Sequence, residues 1–474
     1  MLEGLEIKEK DFSSTYLNKD FRIDSQFYTK EPAKNSKLKY EKIGNIIKKA
    51  QYGVSIAMNE DGVGYPIYRM NEIHNMLCDM EVSKFADISK NELKTFTLND
   101  RDVVFNRTNS FEWVGRTGLY KKLDNRDFVF ASYLVRFIPN EDLIFPEYLS
   151  AFLNSKQGVW DIKRRARQSI NQTNVNPEEV KEIEIPLLSK PFQENLKECF
   201  DKAFELLIDS KSAYTQAEQL LLQELNLANF QPSQEPVNVK SFSESFGSSG
   251  RLDAEYYQSK FDQLEQAISS LDKYETIGNI SELISRGKQP VYLESEQNTL
   301  PVLNSKHIRE NKIILDNRRS ASIDECNLFI EKDDVLINGT GVGTIGRTAP
   351  YLYSTPSIPD NHVTIIRSKS LSSVYISVYL NSIAGQLQVE KYFKGSSGQI
   401  ELYPDDISNF LIWIAPDEVQ MKIENLIKSA FDLEKQSEHL LEVAKQAVEM
   451  AIEQDEKTAM RWIKEQTKDR GRVS

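Results

Sequence analysis

The chain has 474 residues, of which 40% are hydrophobic and 27% charged, and it carries a formal net charge of -12. This length allows two to four domains with separate cores, and the composition is ordinary for a soluble globular protein. No apolar run approaches the roughly 18 to 20 residues that a membrane-spanning helix needs, and the N-terminus lacks the pattern of a signal peptide. We therefore expect no membrane segment and a cytoplasmic location.

Taken alone, the acidic balance argues against a nucleic-acid partner, because phosphate contacts require local Lys and Arg. Much of the acidity, however, falls in two stretches with a helical pattern, 194–224 and 418–456. Basic residues cluster outside these stretches. Since binding depends on the local field, one basic face remains compatible with an acidic total.

Motifs of the first half return in the second half in the same order, about 230 residues later. The matched pairs are Phe21–Tyr28 with Gly250–Tyr257, Ile43–Ile46 with Ile277–Ile280, Asp102–Asn106 with Asp334–Asn338, and Val114–Thr117 with Ile345–Thr348. This duplication predicts two half-chains that share one fold. Such a chain is suited to a target with two parts, because each half can present an equivalent surface.

Each half is predicted to contain a mixed α/β domain of about 160 residues, with strands, turn-rich loops and a short helix. In the first half the predicted strands are Asp102–Asn106, Phe128–Ile138 and Ile183–Leu188, and the helix is Pro146–Gln157. In the second half the predicted strands are Asp334–Asn338, His362–Arg367 and Phe410–Ile414, and the helix is Ser373–Gly385.

A heptad pattern follows each domain, in the same phase and without internal proline or glycine. The predicted seam comprises Leu196, Ala203, Leu206, Ala213 and Leu220 in the first segment, and Ile423, Leu426, Ala430, Leu433, Leu440 and Ala444 in the second. Two long helices that pair as a coiled coil explain this pattern. Matching Ser210 and Ser437 inside both seams favour pairing over the alternative, in which each helix lies on its own domain.

Several motifs, taken in order and in register with the heptads, carry a family resemblance. They are the strands Asp102–Asn106 and Asp334–Asn338, the turns Val114–Thr117 and Ile345–Thr348, the helices with Tyr148-Leu149 and Tyr375-Ile376, and the closing segments Ile185-Pro186 with Gln193 and Ile414–Pro416 with Gln420. In these the chain resembles the specificity subunit of Type I restriction-modification enzymes. The second half follows the family pattern more closely, in Asn338–Gly341 and Gly395–Gln399, than the first half does in Asn106–Ser110 and Arg167–Asn171.

The resemblance implies an α+β fold with two pseudo-twofold-related target-recognition domains, separated by an antiparallel coiled coil of two long helices. The implied boundaries are 1–188 for the first domain, 189–228 for the first helix, 229–250 for a linker and the start of the second repeat, 251–415 for the second domain and 416–470 for the second helix.

The resemblance also implies a DNA-recognition scaffold without catalytic residues. Each domain would read one half of a bipartite site in double-stranded DNA, and the helices would dock two adenine-N6 methyltransferase subunits. Those partners would bind S-adenosylmethionine, and motor-nuclease restriction subunits would bind ATP and Mg. A Type IIB-like partner set remains an alternative, as does a coiled-coil assembly protein with no nucleic-acid role.

The sequence lacks the motifs of the catalytic partners. It contains no Pro-Pro pair, which the adenine-N6 methyltransferase motif requires, and its only Gly-Lys pair, Gly287-Lys288, does not fit a phosphate-binding loop. The glycine-rich run Gly339–Gly346 leaves three alternatives open: a nucleotide site, a structural turn and a loop close to DNA backbone. The histidines and cysteines lack metal-ligand spacing, so we expect no metal site.

Candidate DNA contacts combine basic and amide side chains, which suit phosphates, guanine and adenine. In the first half they are Arg107, Asn109, Arg116, Lys163, Arg164, Arg165, Arg167, Gln168 and Asn171. In the second half they are Arg286, Lys288, Lys306, Asn338, Thr340, Arg347, Ser396, Ser397 and Gln399, in a segment where His307, Arg309, Arg318 and Arg319 add to the basic bias. An ordinary solvated loop is the alternative for the basic segment 156–168.

Two repeated arginine motifs are ambiguous. Arg116 and Arg347 occupy equivalent turns, and each suits either a phosphate contact or an internal hydrogen bond. Arg22 with Asp24, and Arg251 with Asp253, precede aromatic pairs in both halves. We expect these latter motifs to be salt-bridged aromatic anchors that pin the start of each half to the coiled coil.

Overall fold

The computed structural model describes residues 9–16, 22–29, 34–170, 172–293, 297–315, 318–395 and 400–468. The predicted contacts Asn171, Ser396, Ser397 and Gln399 lie outside these residues. The chain divides into two compact units: Met1–Ile208 with Glu434–Ser474 forms unit 1, and Asp209–Leu433 forms unit 2.

The first half of the chain contains short strands and ends in a long helix. Its strands are β1 (Tyr40–Lys42), β2 (Ile47–Tyr52), β3 (Tyr65–Tyr68), β4 (Ile73–His74), β5 (Leu77–Cys78), β6 (Phe85–Ala86), β7 (Val103–Asn106), β8 (Thr108–Asn109), β9 (Thr117–Leu119), β10 (Val129–Phe130), β11 (Leu134–Pro139), β12 (Arg167–Gln168), β13 (Thr173–Asn174) and β14 (Glu184–Pro186). Its helices are α1 (Phe12–Thr15), α2 (Ser25–Thr29), α3 (Ile43–Ile46), α4 (Lys90–Phe96), α5 (Pro146–Asn154), α6 (Lys156–Arg165), α7 (Pro177–Lys181) and α8 (Lys190–Glu224).

The second half has the same kinds of elements. Its strands are β15 (Tyr274–Thr276), β16 (Ser281–Arg286), β17 (Tyr292–Leu293), β18 (Thr299–Leu303), β19 (Ile308–Arg309), β20 (Lys312–Ile313), β21 (Ser320–Ser322), β22 (Val335–Asn338), β23 (Thr348–Pro350), β24 (Ile358–Pro359), β25 (Val363–Ser368) and β26 (Leu411–Trp413). Its helices are α9 (Phe246–Ser249), α10 (Ser259–Ser269), α11 (Ile277–Ile280), α12 (Ser373–Asn381), α13 (Ile383–Tyr392), α14 (Pro404–Ser408), α15 (Asp417–Glu453) and α16 (Glu456–Lys468), with 3-10 turns at Ala254–Tyr257 and Ser305–His307.

The main sheets of the two units have the same strand order where they correspond. Unit 1 has the order β2-β11-β7-β9-β5-β4, and unit 2 has β16-β25-β22-β23. The central strands β7 and β22 are buried along their whole length, as expected for short, continuously apolar strands inside a core. A parallel pair also recurs, β3 with β10 in unit 1 and β18 with β24 in unit 2. The duplicated sequence therefore produces a duplicated sheet.

The closing segments that repeat in the sequence fix a helix to a strand in each unit. Tyr148 Oη on α5 donates to the carbonyl oxygen of Pro186 at 2.7 Å, and Tyr375 Oη on α12 donates to that of Trp413 at 2.9 Å. Both tyrosines are fully buried. Because a buried hydroxyl needs a partner, these bonds explain why tyrosine returns at this position.

Some predicted elements are divided in the structure. The helix predicted over Pro146–Gln157 ends at Asn154, and Ser155 caps a new helix, α6, by accepting a hydrogen bond from the amide of Gly158. The helix predicted over 416–470 also breaks, because Asp455 accepts from the amide of Thr458 at 2.8 Å and starts α16. In both cases a side-chain oxygen that satisfies a free helix amide sets the boundary. The predicted strand Phe128–Ile138 likewise divides into β10 and β11.

The buried stripe of the long helices drifts from the predicted heptad seam. Of the seam residues, Leu196, Ala203, Leu206, Ala213, Ile423, Ala430 and Ala444 are buried, while Leu220, Leu426, Leu433 and Leu440 are only half-buried. The adjacent Leu221, Ile427 and Leu441 are buried instead. An α-helix has 3.6 residues per turn, so a strict seven-residue repeat rotates slowly around it.

Both units draw on both long helices for their cores. In unit 1, Phe192, Phe200 and other residues at the start of α8 share a core with Ala444 and Val448 near the end of α15. In unit 2, residues at the end of α8 share a core with those at the start of α15. This is the order expected of an antiparallel helix pair. The predicted α+β fold with two similar halves and two long helices is confirmed.

Within the part of the chain that the structure describes, none of the helices is both long enough and apolar enough to traverse a lipid bilayer.

Candidate nucleic-acid interface

A tight turn follows the central strand of each main sheet, and it places the two equivalent arginines. In unit 1 the amide of Asn106 donates to the carbonyl oxygen of Arg116, and the amide of Gly115 donates to that of Asn106, both at 2.8 Å. In unit 2 the amides of Asn338 and Gly346 make the same bonds, to the carbonyl oxygens of Arg347 and Asn338, both at 2.9 Å. We call residues 107–116 the first turn and residues 339–347 the second turn.

Both turns need glycine where they touch a helix. Gly115 has a φ of +93°, and a Cβ added there would lie 2.6 Å from Ile162 on α6. Gly346 has a φ of +79°, and a Cβ there would lie 2.8 Å from Val389 on α13. Positive φ and the close approach of the helix both exclude a side chain, so the backbone conformation of the turn explains why the Gly-Arg-Thr motif begins with glycine.

The second turn is a connection between antiparallel strands. It joins β22 to β23, and Leu336 pairs with Ala349 across them. A dinucleotide site of the kind considered for Gly339–Gly346 requires a strand followed by a helix. The nucleotide-binding alternative therefore has no support in this geometry.

The equivalent arginines have different surroundings. Arg116 stacks on the indole of Trp113, with 3.2 Å between its Cζ atom and the ring centroid. The guanidinium of Arg347 makes no hydrogen bond or ion pair with the described residues, and Arg347 is half-buried beside Arg309. Burial and, after it, the positive charge of Arg347 lower the pKa of Arg309. Unit 2 thus holds two neighbouring guanidinium groups without a carboxylate partner in the described part of the chain.

Further basic side chains of unit 2 lie at the end of β16, just after it, and in the 3-10 turn before β19. Lys288 and Lys306 are exposed. Arg286 is held more firmly, because its Nε donates to the carbonyl oxygen of Asn361 at 2.6 Å and its guanidinium lies 3.5 Å from Glu401. Lys288, Lys306, Arg309 and Arg347 form what we call the basic patch.

Two predicted contacts of unit 2 are held inside the protein. Asn338 is fully buried and donates from Nδ2 to the carbonyl oxygen of Ser305 at 3.2 Å. The Oγ1 atom of Thr340 lies 2.7 Å from Nδ1 of His362. The structure therefore places Asn338 under the second turn, where it supports the backbone, and Thr340 at the start of the turn.

In unit 1, Arg107 and Asn109 are half-buried at the start of the first turn. The guanidinium of Arg107 lies over the ring of Tyr52, with 5.2 Å to the centroid. Asn109 pairs with Thr173 in the small sheet β12-β13-β8. Arg167 and Gln168 on the neighbouring β12 are exposed, and Arg167 also contacts Glu179 at 3.0 Å.

Arg164 and Arg165 are buried, which removes them from the predicted surface. Both pair with Asp161 on the same helix, and Arg164 also donates to the carbonyl oxygen of Phe27 at 2.7 Å. Counting the basic residues in the segment 156–168 could not reveal this. In a helix, residues three and four positions apart share one face, so the single Asp161 can pair with both Arg164 and Arg165. We leave both arginines out of the proposed surface.

Lys163 also points inward. Its Nζ atom donates to the carbonyl oxygens of Phe111, Glu112 and Val114 in the first turn, the latter two at 3.0 and 2.8 Å. Burial lowers the pKa of Lys163 to about 8. Its ammonium group is thus hydrogen-bonded to the backbone of unit 1.

The aromatic anchors form, but they attach to the globular part of each unit. Arg22 pairs with Asp24 at 2.7 Å and with Glu179 on α7 at 3.2 Å. In unit 2, Arg251 stacks on Tyr256, which in turn contacts Tyr392 on α13. The expected attachment to the coiled coil is replaced by one to α7 and α13, because the acidic and aromatic partners lie there.

The sequence reasoning did not select Trp113, Tyr52 or Arg309 as site residues. Trp113 precedes Arg116 by three positions, and this spacing next to a glycine turn was an available signal. Tyr52 is far from Arg107 in sequence, and only the pairing of β2 with β11 and of β11 with β7 brings their strands together. Arg309 was noticed only as part of a basic bias.

The described residues contain no group of three or more His, Cys, Asp or Glu side chains arranged to hold a metal ion. Cys78 and Cys199 are buried and Cys326 is half-buried, all as free thiols.

Comparison with known proteins gives partial matches. No protein-family model matches the chain. It is 37% identical over 84 residues to the Type I restriction enzyme EcoKI specificity subunit of Escherichia coli K12, which is 18% of each chain. It is 26% identical over 170 residues to the putative Type I restriction enzyme MjaX specificity subunit of Methanocaldococcus jannaschii, which is 34% of this chain and 40% of the relative. The chain thus matches less than half of the length of either relative.

Among solved structures, the chain is similar to the S subunit of a Type I restriction-modification system from M. genitalium, at 13% identity over 91% of this chain and 98% of that one, with a TM-score of 0.35. A second is the HsdS subunit from Thermoanaerobacter tengcongensis, at 13% identity over 90% and 98% of the two chains, with a TM-score of 0.28. The sequence relatives confirm the resemblance to specificity subunits of Type I restriction enzymes that the repeated motifs had indicated.

Proposed function

We propose that this chain is a sequence-specific DNA-recognition subunit of a Type I restriction-modification complex. The observation that carries the proposal is the pair Arg309 and Arg347 at the second turn. Two half-buried guanidinium groups that repel each other raise the energy of the free protein. A phosphate group between or beside them relieves that repulsion and releases condensed counterions from DNA.

The remainder of the basic patch supports a nucleic-acid ligand. Lys288 and Lys306 are exposed, and Lys306 precedes Arg309 by three residues. Arginine suits bidentate contacts to phosphate or guanine, and lysine supplies an additional point charge. The acidic total does not oppose this proposal, because association with DNA follows the local field.

A bipartite DNA site is supported by the duplicated scaffold. The sheet, the glycine turn and the tyrosine contact recur, while the side chains at the turns differ: Arg116 stacks on Trp113, whereas Arg347 lies beside Arg309. One scaffold with two different surfaces suits two half-sites of different sequence. We therefore propose that the recognised DNA has two separated segments.

The proposed partners are two adenine-N6 methyltransferase subunits, with motor-nuclease subunits joining them. A cleft of about 460 Å³ in unit 1 supports docking of a partner at the helices. Cys199 and Leu206 on α8, Leu440 on α15 and Ile463 on α16 contribute apolar side chains to its lining. The partners would supply S-adenosylmethionine and ATP chemistry, and this chain would supply recognition without catalysis.

DNA binding is tested with the full chain co-expressed with the adenine-N6 methyltransferase subunits proposed as its partners. The dissociation constant for duplex DNA is measured over a series of salt concentrations. For the Arg309→Met and Arg347→Met variants we expect weaker binding and a salt slope smaller by about 0.9 for each lost phosphate contact. Lys369→Met removes an exposed charge of unit 2 without touching the second turn, and it should leave the slope unchanged.

The alternative functions give different results. A coiled-coil assembly protein would show no salt-dependent DNA binding with any partner, and that result would overturn the proposal. Co-purification with one polypeptide that both methylates and cleaves would instead indicate a Type IIB-like set. Sequencing of methylated adenines in the host genome, with and without this gene, shows whether the motif has two segments.

A further inference from the structure

The ammonium group of Lys163 occupies the inside of the first turn. It donates to the carbonyl oxygens of Phe111, Glu112 and Val114, and it also lies 5.1 Å from the centroid of the Phe111 ring. A lysine has three N–H donors, so these carbonyls use all of them. Because all three acceptors belong to one turn, the side chain fixes the path of that turn on α6.

The same turn is held by its own backbone only in part. The amides of Trp113 and Val114 donate to the carbonyl oxygen of Ser110 at 3.1 and 2.9 Å. Phe111 and Glu112, at the tip, are exposed. The Lys163 bonds are therefore the main link between this tip and the rigid helix α6.

Unit 2 holds its turn without such a lysine. Val389 on α13 packs against Gly346 as Ile162 packs against Gly115, which makes Glu390 the counterpart of Lys163. Glu390 pairs with Lys260 instead. Thr344 Oγ1 bonds to the carbonyl oxygens of Thr340 and Gly341, and Gln386 Nε2 donates to that of Gly346. The lysine is thus specific to the first turn and not a requirement of the fold.

We propose that Lys163 is a positioning residue that sets the conformation of the first turn for recognition of one half-site. It acts through Trp113 and Arg116, which it presents as a stacked pair, and it does not itself contact phosphate. The proposal rests on the proposed function of DNA recognition and assigns Lys163 a role within it. The charged groups that act on its ammonium are Glu112 and Arg116.

The structural part of the proposal is tested without DNA, by amide hydrogen exchange on the full chain. In Lys163→Met the hydrogen-bonded amides of residues 113–116 should exchange about tenfold faster, since the bonds from Lys163 to the turn are lost. The conservative variant Lys163→Arg, which keeps a charged donor, should restore most of the protection. Lys156→Met, on the same helix but paired with Glu453, serves as the control and should leave the turn unchanged.

The functional part is tested by the salt dependence of duplex-DNA binding in the same complex with methyltransferase subunits. Lys163→Met should weaken binding several-fold while the slope of log K against log salt stays at the wild-type value. A fall of about 0.9 in the slope would assign Lys163 to a phosphate instead and overturn the proposal. Unchanged exchange in the first turn would overturn it as well.

The two proposals fail in different ways. If the wild-type complex does not bind DNA, the proposed function fails, although the exchange result can still establish that Lys163 holds the first turn in place. If the wild type binds DNA and Lys163→Met binds equally well with a looser turn, only the positioning role is overturned. A melting temperature unchanged from wild type excludes general unfolding as the cause of weaker binding.

Discussion

The guanidinium of Arg136 lies 3.1 Å from the carboxylate of Asp102 inside unit 1, and both side chains are buried. Arg367 and Asp334 form the equivalent pair in unit 2, at 2.7 Å, but Arg367 remains partly open to solvent. Burial raises the pKa of Asp102, while Arg136 opposes that effect. The same ion pair is thus buried in unit 1 and partly exposed to solvent in unit 2.

Removing the carboxylate should cost more in unit 1 than in unit 2. We expect Asp102→Ala to lower the free energy of unfolding of unit 1 by about 3–5 kcal/mol, because Arg136 is left as an unpaired buried charge. Asp334→Ala should cost less, since water can solvate Arg367. Denaturant unfolding followed by amide exchange in each sheet measures both effects. Equal losses in the two units would contradict the argument from burial.

The glycine of the first turn should be sensitive to a single added methyl group. Gly115→Ala combines positive φ with overlap of Ile162, whereas Gly62 has a φ of +75° and open space around it. Gly62→Ala should cost about 1–2 kcal/mol from the backbone alone. Gly115→Ala should cost about 1–3 kcal/mol more, because the core must shift. Chemical denaturation of both variants measures the difference, and similar losses would show that the contact with Ile162 is easily relieved.

The long helices carry two buried hydroxyl groups that cost stability. Ser210 and Ser437 are at most 1% exposed, and their Oγ atoms have no hydrogen-bond partner among the described residues. Ser210→Ala and Ser437→Ala should each raise the free energy of unfolding by about 1 kcal/mol. The exposed Ser212→Ala is the control and should be nearly neutral. Thermal unfolding checks this, and a loss of stability in the two buried variants would indicate that their hydroxyls are satisfied in solution.

The pH dependence of the first turn follows from Lys163. Burial lowers its pKa to about 8, below its ordinary value of 10.5. The closed turn therefore binds fewer protons than an open turn with solvated lysine, and raising the pH between these two values should favour the closed turn. The neutral amine keeps two N–H donors for the carbonyl oxygens and no longer carries a buried charge. Amide exchange of residues 113–116, corrected for base catalysis, should show protection that rises over this range. Lys163→Met should show no such rise.

The sequence predicted the repeated core because its signals are local. Val103–Asn106 and Val335–Asn338 are short apolar runs that form buried strands, and Tyr148 and Tyr375 lie on helices at matching positions. Glycine in the Gly-Arg-Thr motif marked both turns. Such features depend on the periodicity of apolar residues and on residues close by in the chain. Both can be found in a single sequence.

The site was predicted less well because its geometry depends on distant partners. Lys163, Arg164 and Arg165 look like an exposed basic segment, yet Asp161, Phe27 and the carbonyls of the first turn draw all three inward. In the described part of the chain no carboxylate pairs with Arg309 or Arg347, and this likewise depends on how distant segments fold. Counting charges along the chain gives neither result. The buried stripe of the long helices was also hard to predict. A small rotation of the stripe around the helix makes Leu221 the buried residue in place of Leu220.

Because unit 1 takes in Glu434–Ser474, its interior is completed by a stretch that follows the whole of unit 2 in the sequence. Ala444, Val448 and Ile463 fill space next to side chains that were made hundreds of residues earlier. A nascent chain that stops before this stretch exposes an unfinished apolar surface, which is a hazard for aggregation and a mark for proteolysis. Completion of unit 1 during synthesis therefore has to wait until all of unit 2 has been translated.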